Sequence, residues 1–275
     1  MSINSPIGIF DSGYGGLTVF KEIAAKLPQY DYLYLGDNAR APYGPRSFET
    51  VYEYTLQAVK WFFEQSCELV ILACNTASAK ALRTIQQNDL PKLGAEKRVL
   101  GVIRPTSEII GQYTKTNHVG ILATKGTVQS ESYLIEIEKF YPDVKVHQKA
   151  CPLWVPLIEN NEYENDGADF FYRKNINELF SSNSKIDTIL LACTHYPIIK
   201  EKIQQFSPNG VNIISQGEIV ANSLQDYLKR HSEMEIKLSK NGHQSFFTTD
   251  DAKGFDEQAT KFFGKGIQSK QIHLH

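Results

Sequence analysis

Short apolar runs recur along most of this chain, each only a few residues long and each followed by a longer stretch with helical spacing. They are "IGIF" (Ile7 to Phe10), "YLYLG" (Tyr32 to Gly36), "ELVILA" (Glu68 to Ala73), "RVLGVI" (Arg98 to Ile103), "HVGILA" (His118 to Ala123), "VKVHQK" (Val144 to Lys149), "TILLA" (Thr188 to Ala192) and "VNIIS" (Val211 to Ser215). A strand that is apolar on successive residues needs cover on both faces. The intervening stretches, such as "SFETVYEYTLQAVKWFFEQ", repeat apolar residues at helical intervals and supply that cover. Alternation of this kind predicts an α/β fold with mainly parallel sheets flanked by helices.

The pattern also repeats. "IGIFDSGYGG" opens the first half and "VGILATKGTV" opens the second, 112 positions later; "LVILACNTA" is then matched by "TILLACTHY", whose cysteine follows the first by 119 positions. Similar offsets predict two lobes of one plan facing each other across a cleft. The expected division is residues 1–100 plus 212–275 for the first lobe and 101–211 for the second, with the tail returning to complete the first. A phenylalanine-rich helix in that tail is expected to pack on a lobe.

Four cysteines stand at Cys67, Cys74, Cys151 and Cys193, without a C-x-x-C pair, so no structural metal site is expected. Cys74 and Cys193 both fall where a strand hands over to a helix. In open α/β sheets ligands bind at the carboxyl ends of strands, where free helix N–H groups lower a thiol's pKa. Cys67 ends a helical stretch and Cys151 precedes a proline in a loop, and structural roles are expected for both. Asn75 and Thr76 follow the first thiol, Thr194 and His195 the second. Hydroxyl and amide groups at such a corner suit carboxylate binding, and a helix N-cap is the alternative reading of Asn75 or Thr76 taken singly.

"FDSGYGG" puts Asp11 at the end of the first strand as an expected cleft carboxylate, with Ser12 as a donor to substrate. Its glycines resemble a phosphate loop, but the dinucleotide spacing and a Walker-type lysine are both missing. "DNARAPYGPRS" carries Tyr43 and Gly44 to the same sheet edge. Two thiols on opposite walls of a cleft suit removal of a proton from one face of a carbon and delivery to the other, the requirement for inverting a stereocentre. A cysteine hydrolase or lyase would need one essential thiol, and a ligand-sensing protein would need none.

Composition removes other classes. A formal charge of -2 gives no general nucleic-acid or membrane-surface character. No apolar run nears the roughly 20 residues of a membrane span. The start, "MSINSPIGIF", lacks a leader pattern. With four cysteines and no dense framework, a reducing cytoplasmic location is expected.

Together, "GIFDSGYGGLTV", "GDNARAPYG", "ACNTASA", "LATKGTVQSESY", "CPLWVPLIE" and "LACTHYP" resemble the bacterial glutamate racemases, in order from about Ile7 to Gly217. The resemblance implies a two-domain α/β fold with the active site between the lobes. It implies interconversion of L- and D-glutamate for peptidoglycan, with no cofactor and no metal. Cys74 and Cys193 would exchange the proton, Asp11 assisting the first and His195 the second. Ser12, Tyr43, Gly44, Asn75, Thr76, Thr127, Thr194 and His195, with Asp11, would contact substrate, and Glu159 is a further cleft carboxylate. A homodimer is expected, with glutamate as the small-molecule partner and neither nucleic acid nor membrane. One stretch departs from the family: "GVIRPTSEII", with Arg104, Thr106 and Ser107, replaces a proline followed by small residues.

Overall fold

The computed structural model describes residues 5–275; the first four, part of the stretch read as carrying no leader, lie outside the described residues. Ten strands are described: β1 (Ile7–Asp11), β2 (Tyr32–Gly36), β3 (Leu69–Leu72), β4 (Arg98–Gly101), β5 (His118–Ala123), β6 (Lys145–Ala150), β7 (Thr188–Ala192), β8 (Asn212–Ile214), β9 (Gln244–Thr248) and β10 (Ser269–Gln271). They form two sheets, in the orders β10-β9-β2-β1-β3-β4 and β6-β5-β7-β8. Every pairing between named strands is parallel.

The internal repeat is visible in this topology. The order β2-β1-β3-β4 in the large sheet has the same plan as β6-β5-β7-β8 in the small one. The central strands β1, β3 and β7 are buried at every residue, as continuous apolar runs require. β6 differs. It is an edge strand, half-buried along most of its length, and four of its six residues are polar.

The chain passes from the large sheet to the small one between β4 and β5, and returns between β8 and β9. β8 pairs with β7, so the segment just after residue 212 stays with the small sheet. The tail then contributes more than a helix. β9 pairs with β2 and β10 with β9, extending the large sheet by two strands before and after the helix Ala252–Phe263. One apolar cluster runs through both sheets, including Ile9 and Ile71 from the large sheet, Leu122 and Leu191 from the small one, and Val220 and Leu224 on the helix Gly217–Arg230. Because that core is shared, the two sheets hold their carboxyl edges together. Among the described residues no helix is long and apolar enough to cross a membrane.

Helix starts follow local rules. Ser47 accepts the Thr50 N–H at 3.1 Å ahead of the helix Phe48–Glu64, and Asp251 accepts the Gly254 N–H at 2.7 Å ahead of Ala252–Phe263. Each such cap contributes about 1 kcal/mol.

Candidate active site

The carboxyl ends of six strands converge on one cavity of about 200 Å³. β1 delivers Ser12 and Gly13, the loop after β2 delivers Ala41 to Pro45, and β3 delivers Cys74, Asn75 and Thr76. From the small sheet, β5 delivers Thr124 and Lys125, the segment after β6 delivers Cys151, Pro152 and Glu159, and β7 delivers Cys193, Thr194 and His195. Both sheets therefore end on the same space, and both repeated cysteines line it.

The first thiol sits in a corner built from one strand and one short helix. Cys74 caps the helix Asn75–Lys80, its sulfur accepting the Ala77 N–H at 3.5 Å. Ser12 Oγ lies 3.4 Å from the same sulfur. The sequence rule expects a depressed thiol here, and the structure gives the opposite. Burial, reinforced by the nearby Asp11 charge, pushes Cys74 up to about 12 despite the hydrogen bonds from Ser12 and Ala77. The helix is only six residues long, and desolvation outweighs its N–H groups. At neutral pH the Cys74 thiol holds its proton.

The second thiol has a different escort. Past Cys193 the chain enters a single turn of 3-10 helix, Tyr196–Ile199, carrying no side-chain cap. His195 Nε2 lies 2.8 Å from Glu159 Oε1. Burial works to lower the His195 pKa, yet the neighbouring Cys193 and the Glu159 carboxylate push it up to about 10. The imidazole is thus protonated at neutral pH. The Phe262 ring meets it edge-on at 5.2 Å, and Lys261 on the same helix donates to Ile158 O at 2.8 Å, beside Glu159. In this way the tail helix packs against the site without lining it.

Close approaches weld the two corners together. A Cβ on Gly15 would lie 2.3 Å from Thr194 Oγ1 and 2.4 Å from His195 Nδ1, so only glycine lets "FDSGYGG" pack on "CTHYP". Thr18 Oγ1 donates to Thr194 O at 2.9 Å across the same contact. On the opposite side Thr76 Oγ1 stands 3.0 Å from Thr124 Oγ1.

Most of the residues singled out in the sequence line the cavity: Ser12, Tyr43, Gly44, Cys74, Asn75, Thr76, Glu159, Cys193, Thr194 and His195. Two do not. Asp11 is wholly buried behind the wall; its Oδ2 accepts the Gly13 N–H at 3.0 Å, and burial raises its pKa against the pull of His195. Thr127 is buried one step back, 3.1 Å from Thr124 Oγ1. Thr124, Lys125 and Cys151 line the space and were not singled out. The repeat contained a signal for the first of these: Thr124 follows Ser12 by the same 112 positions that separate the two openings. Nothing in the sequence set Cys151 apart from an ordinary loop cysteine.

Residues 12–224 match the Asp/Glu/Hydantoin racemase family. The chain belongs to that family. This racemase is 38% identical over 276 residues to the glutamate racemase of Bacillus cereus (strain ATCC 10987 / NRS 248), covering 100% of this chain and 99% of the relative. It is 37% identical over 269 residues to that of Persephonella marina, covering 98% and 97%. Among solved structures it is similar to glutamate racemase isoform RacE1 from Bacillus anthracis, with a TM-score of 0.89 at 33% identity over 99% of this chain and 98% of that one. It is also similar to the glutamate racemase of Francisella tularensis in complex with D-glutamate, with a TM-score of 0.87 at 31% identity over 98% of each chain. The matched span contains every residue that lines the racemase's cavity. β9, β10 and the helix between them fall beyond it.

Proposed function

We propose that this racemase interconverts L- and D-glutamate without a cofactor, using Cys74 and Cys193 as acid and base on opposite faces of the α-carbon, and so supplies D-glutamate for peptidoglycan. The observation that carries the reading is the presence of both thiols in one cavity of about 200 Å³, each at the end of a strand from a different sheet. The substrates printed for the relatives support glutamate. The two lobes of the proposal divide between β4 and β5 and again between β8 and β9.

In the forward direction one sulfur, as thiolate, takes the α-proton while the other, as thiol, gives its proton to the opposite face. The net result is inversion with no change in proton count. The reverse direction exchanges the roles. Cys74 enters as the acid, since burial keeps its proton on. Protonated His195 places positive charge beside Cys193, where it favours the thiolate form in which that sulfur takes the α-proton. Asn75, Thr76 and Thr194 are the donors proposed for the substrate carboxylates.

A circular-dichroism assay with each enantiomer of glutamate and of aspartate tests the reading. Glutamate of either hand should lose its signal toward zero, and aspartate should persist. Cys67→Ala should retain most of the activity, because Cys67 is buried in the core under a helix, away from the cavity. Persistent D-glutamate with the wild-type protein would overturn the assignment.

A further inference from the structure

Asn75 lines the cavity, but both ends of its carboxamide are engaged behind the wall. Its Nδ2 donates to Gln216 Oε1 at 2.7 Å. Gln216 Nε2 donates to the Tyr133 hydroxyl at 2.7 Å, and that hydroxyl donates to Asn75 Oδ1 at 2.6 Å. Three hydrogen bonds thereby close a ring, and all three residues are buried.

The direction of the ring follows from one atom outside it. Gln216 Nε2 also lies 3.2 Å from Val102 O, a main-chain carbonyl that can only accept. The nitrogen end of Gln216 must therefore face that side, which leaves its oxygen for Asn75. Asn75 must then present nitrogen to Gln216 and oxygen to Tyr133. Burial raises the pKa of the Tyr133 hydroxyl, so it keeps the proton it donates. A flip of any one amide would set two acceptors or two donors against each other, at full desolvation cost.

The members come from distant parts of the chain. Asn75 is the residue after Cys74. Tyr133 lies on the helix Ser132–Phe140, behind the small sheet. Gln216 stands just past β8, where the chain begins its return to the large sheet, while Val102 and Thr106 lie just past β4, on the outward passage; Thr106 Oγ1 is 2.9 Å from Gln216 Nε2. Neither Tyr133 nor Gln216 lines the cavity.

We propose that Gln216 and Tyr133 are positioning residues of the reaction. The ring fixes the Asn75 carboxamide so that the second hydrogen on Nδ2 is offered to a substrate carboxylate, and it ties the Cys74 corner to both passages between the sheets. The proposal rests on the glutamate reading above, in which Asn75 touches substrate.

Kinetics of Tyr133→Phe test it. With Oδ1 released, Asn75 turns freely, and KM for D-glutamate should rise about tenfold, the equivalent of one hydrogen bond of about 1.4 kcal/mol; kcat should fall less. Because the enantiomers have equal free energy, kcat/KM must drop equally in both directions. Gln216→Met should give the same split and stands in if Tyr133→Phe fails to fold. Thr106→Val, which removes a partner outside the ring, should lower Tm and leave KM within about twofold. The decisive measurement is a double-mutant cycle. Once Asn75→Ala has raised KM, adding Tyr133→Phe should change it no further, whereas a merely structural role would add its own loss. Unchanged KM in a folded Tyr133→Phe protein, or additive losses in the cycle, would overturn the proposal. Absence of glutamate turnover by the wild type would defeat both this and the functional reading.

Discussion

The Cys74 and Cys193 corners occupy equivalent places in two sheets of one plan, and they are equipped differently. Each cysteine follows a strand that pairs with the opening strand of its half. Around Cys74 the partners are neutral, the Ser12 hydroxyl and the Ala77 N–H. Around Cys193 stands an ion pair of His195 and Glu159, with no helix cap. Equal backbones with unequal charges give one thiol that holds its proton and one that sits beside a cation. Under the proposed mechanism one wall removes a proton while the other adds one, so unlike surroundings on the two walls suit a single turnover. The comparison teaches that the repeat supplies position and the non-repeated neighbours supply charge.

The largest expected effects come from removing either side of the comparison. Cys74→Ala and Cys193→Ala should each reduce racemisation by about 10³-fold or more, the upper range for loss of an acid–base group. Isotope entry shows whether the corners act separately. In deuterated water, deuterium should appear in product far sooner than in the remaining substrate, because the sulfur that delivers is not the one that removed. Equal labelling of both pools at early times would mean one shared base, and near-normal turnover in Cys193→Ala would end the two-corner reading.

Much of this arrangement could be read from the chain. Eight strands, the parallel order and both corners follow from apolar runs and a repeat, because burial on two faces leaves a continuous trace. β10 leaves none: Ser269, Lys270 and Gln271 form a polar edge strand whose pairing is set by the main chain. β9, "QSFFT", is masked by the phenylalanine-rich tail around it. The protonation of Cys74 is not legible, because a sequence shows the helix start and hides the burial. The same holds for Asp11: its place at the end of β1 is legible, but the loop that folds over it, with the Gly13 N–H on its carboxylate, is not. The ring of Asn75, Gln216 and Tyr133 has no periodicity at all. Asn75 and Gln216 stand 141 residues apart, and only the fold brings their amides together.

A middle-sized effect should come from Glu159→Gln, which leaves shape and removes charge. Losing the carboxylate that positions His195 should lower kcat/KM by roughly 10-fold to 100-fold. It should also change the pH dependence of stability. His195 has its folded pKa raised from 6.5 to about 10, so between those values the folded state holds a proton that the unfolded state has lost. Its contribution is complete below about 6.5 and disappears as pH rises through 10, at up to about 1.4 kcal/mol per pH unit. Urea unfolding at pH 7, 8.5 and 10 should show the wild type weakening across the series and Glu159→Gln weakening less. Parallel slopes for the two proteins would remove Glu159 from the Cys193 corner.

The smallest effect belongs to the other corner. Ser12→Ala takes away a neutral hydroxyl 3.4 Å from Cys74 Sγ, one of the two hydrogen bonds that lower a pKa already near 12. Its loss should raise that pKa further, making Cys74 a weaker acid when it delivers the proton and a rarer thiolate when it removes one. A few-fold fall in kcat is expected, consistent with a neutral hydrogen bond of about 1 kcal/mol. The fall in kcat/KM must be shared by both directions, while the pH dependence of stability set by His195 should stay as in the wild type. A loss as large as that of Glu159→Gln would show that Ser12 does more than tune the sulfur and itself grips the substrate. The two corners would then be less unequal in charge than they are in the labour of binding.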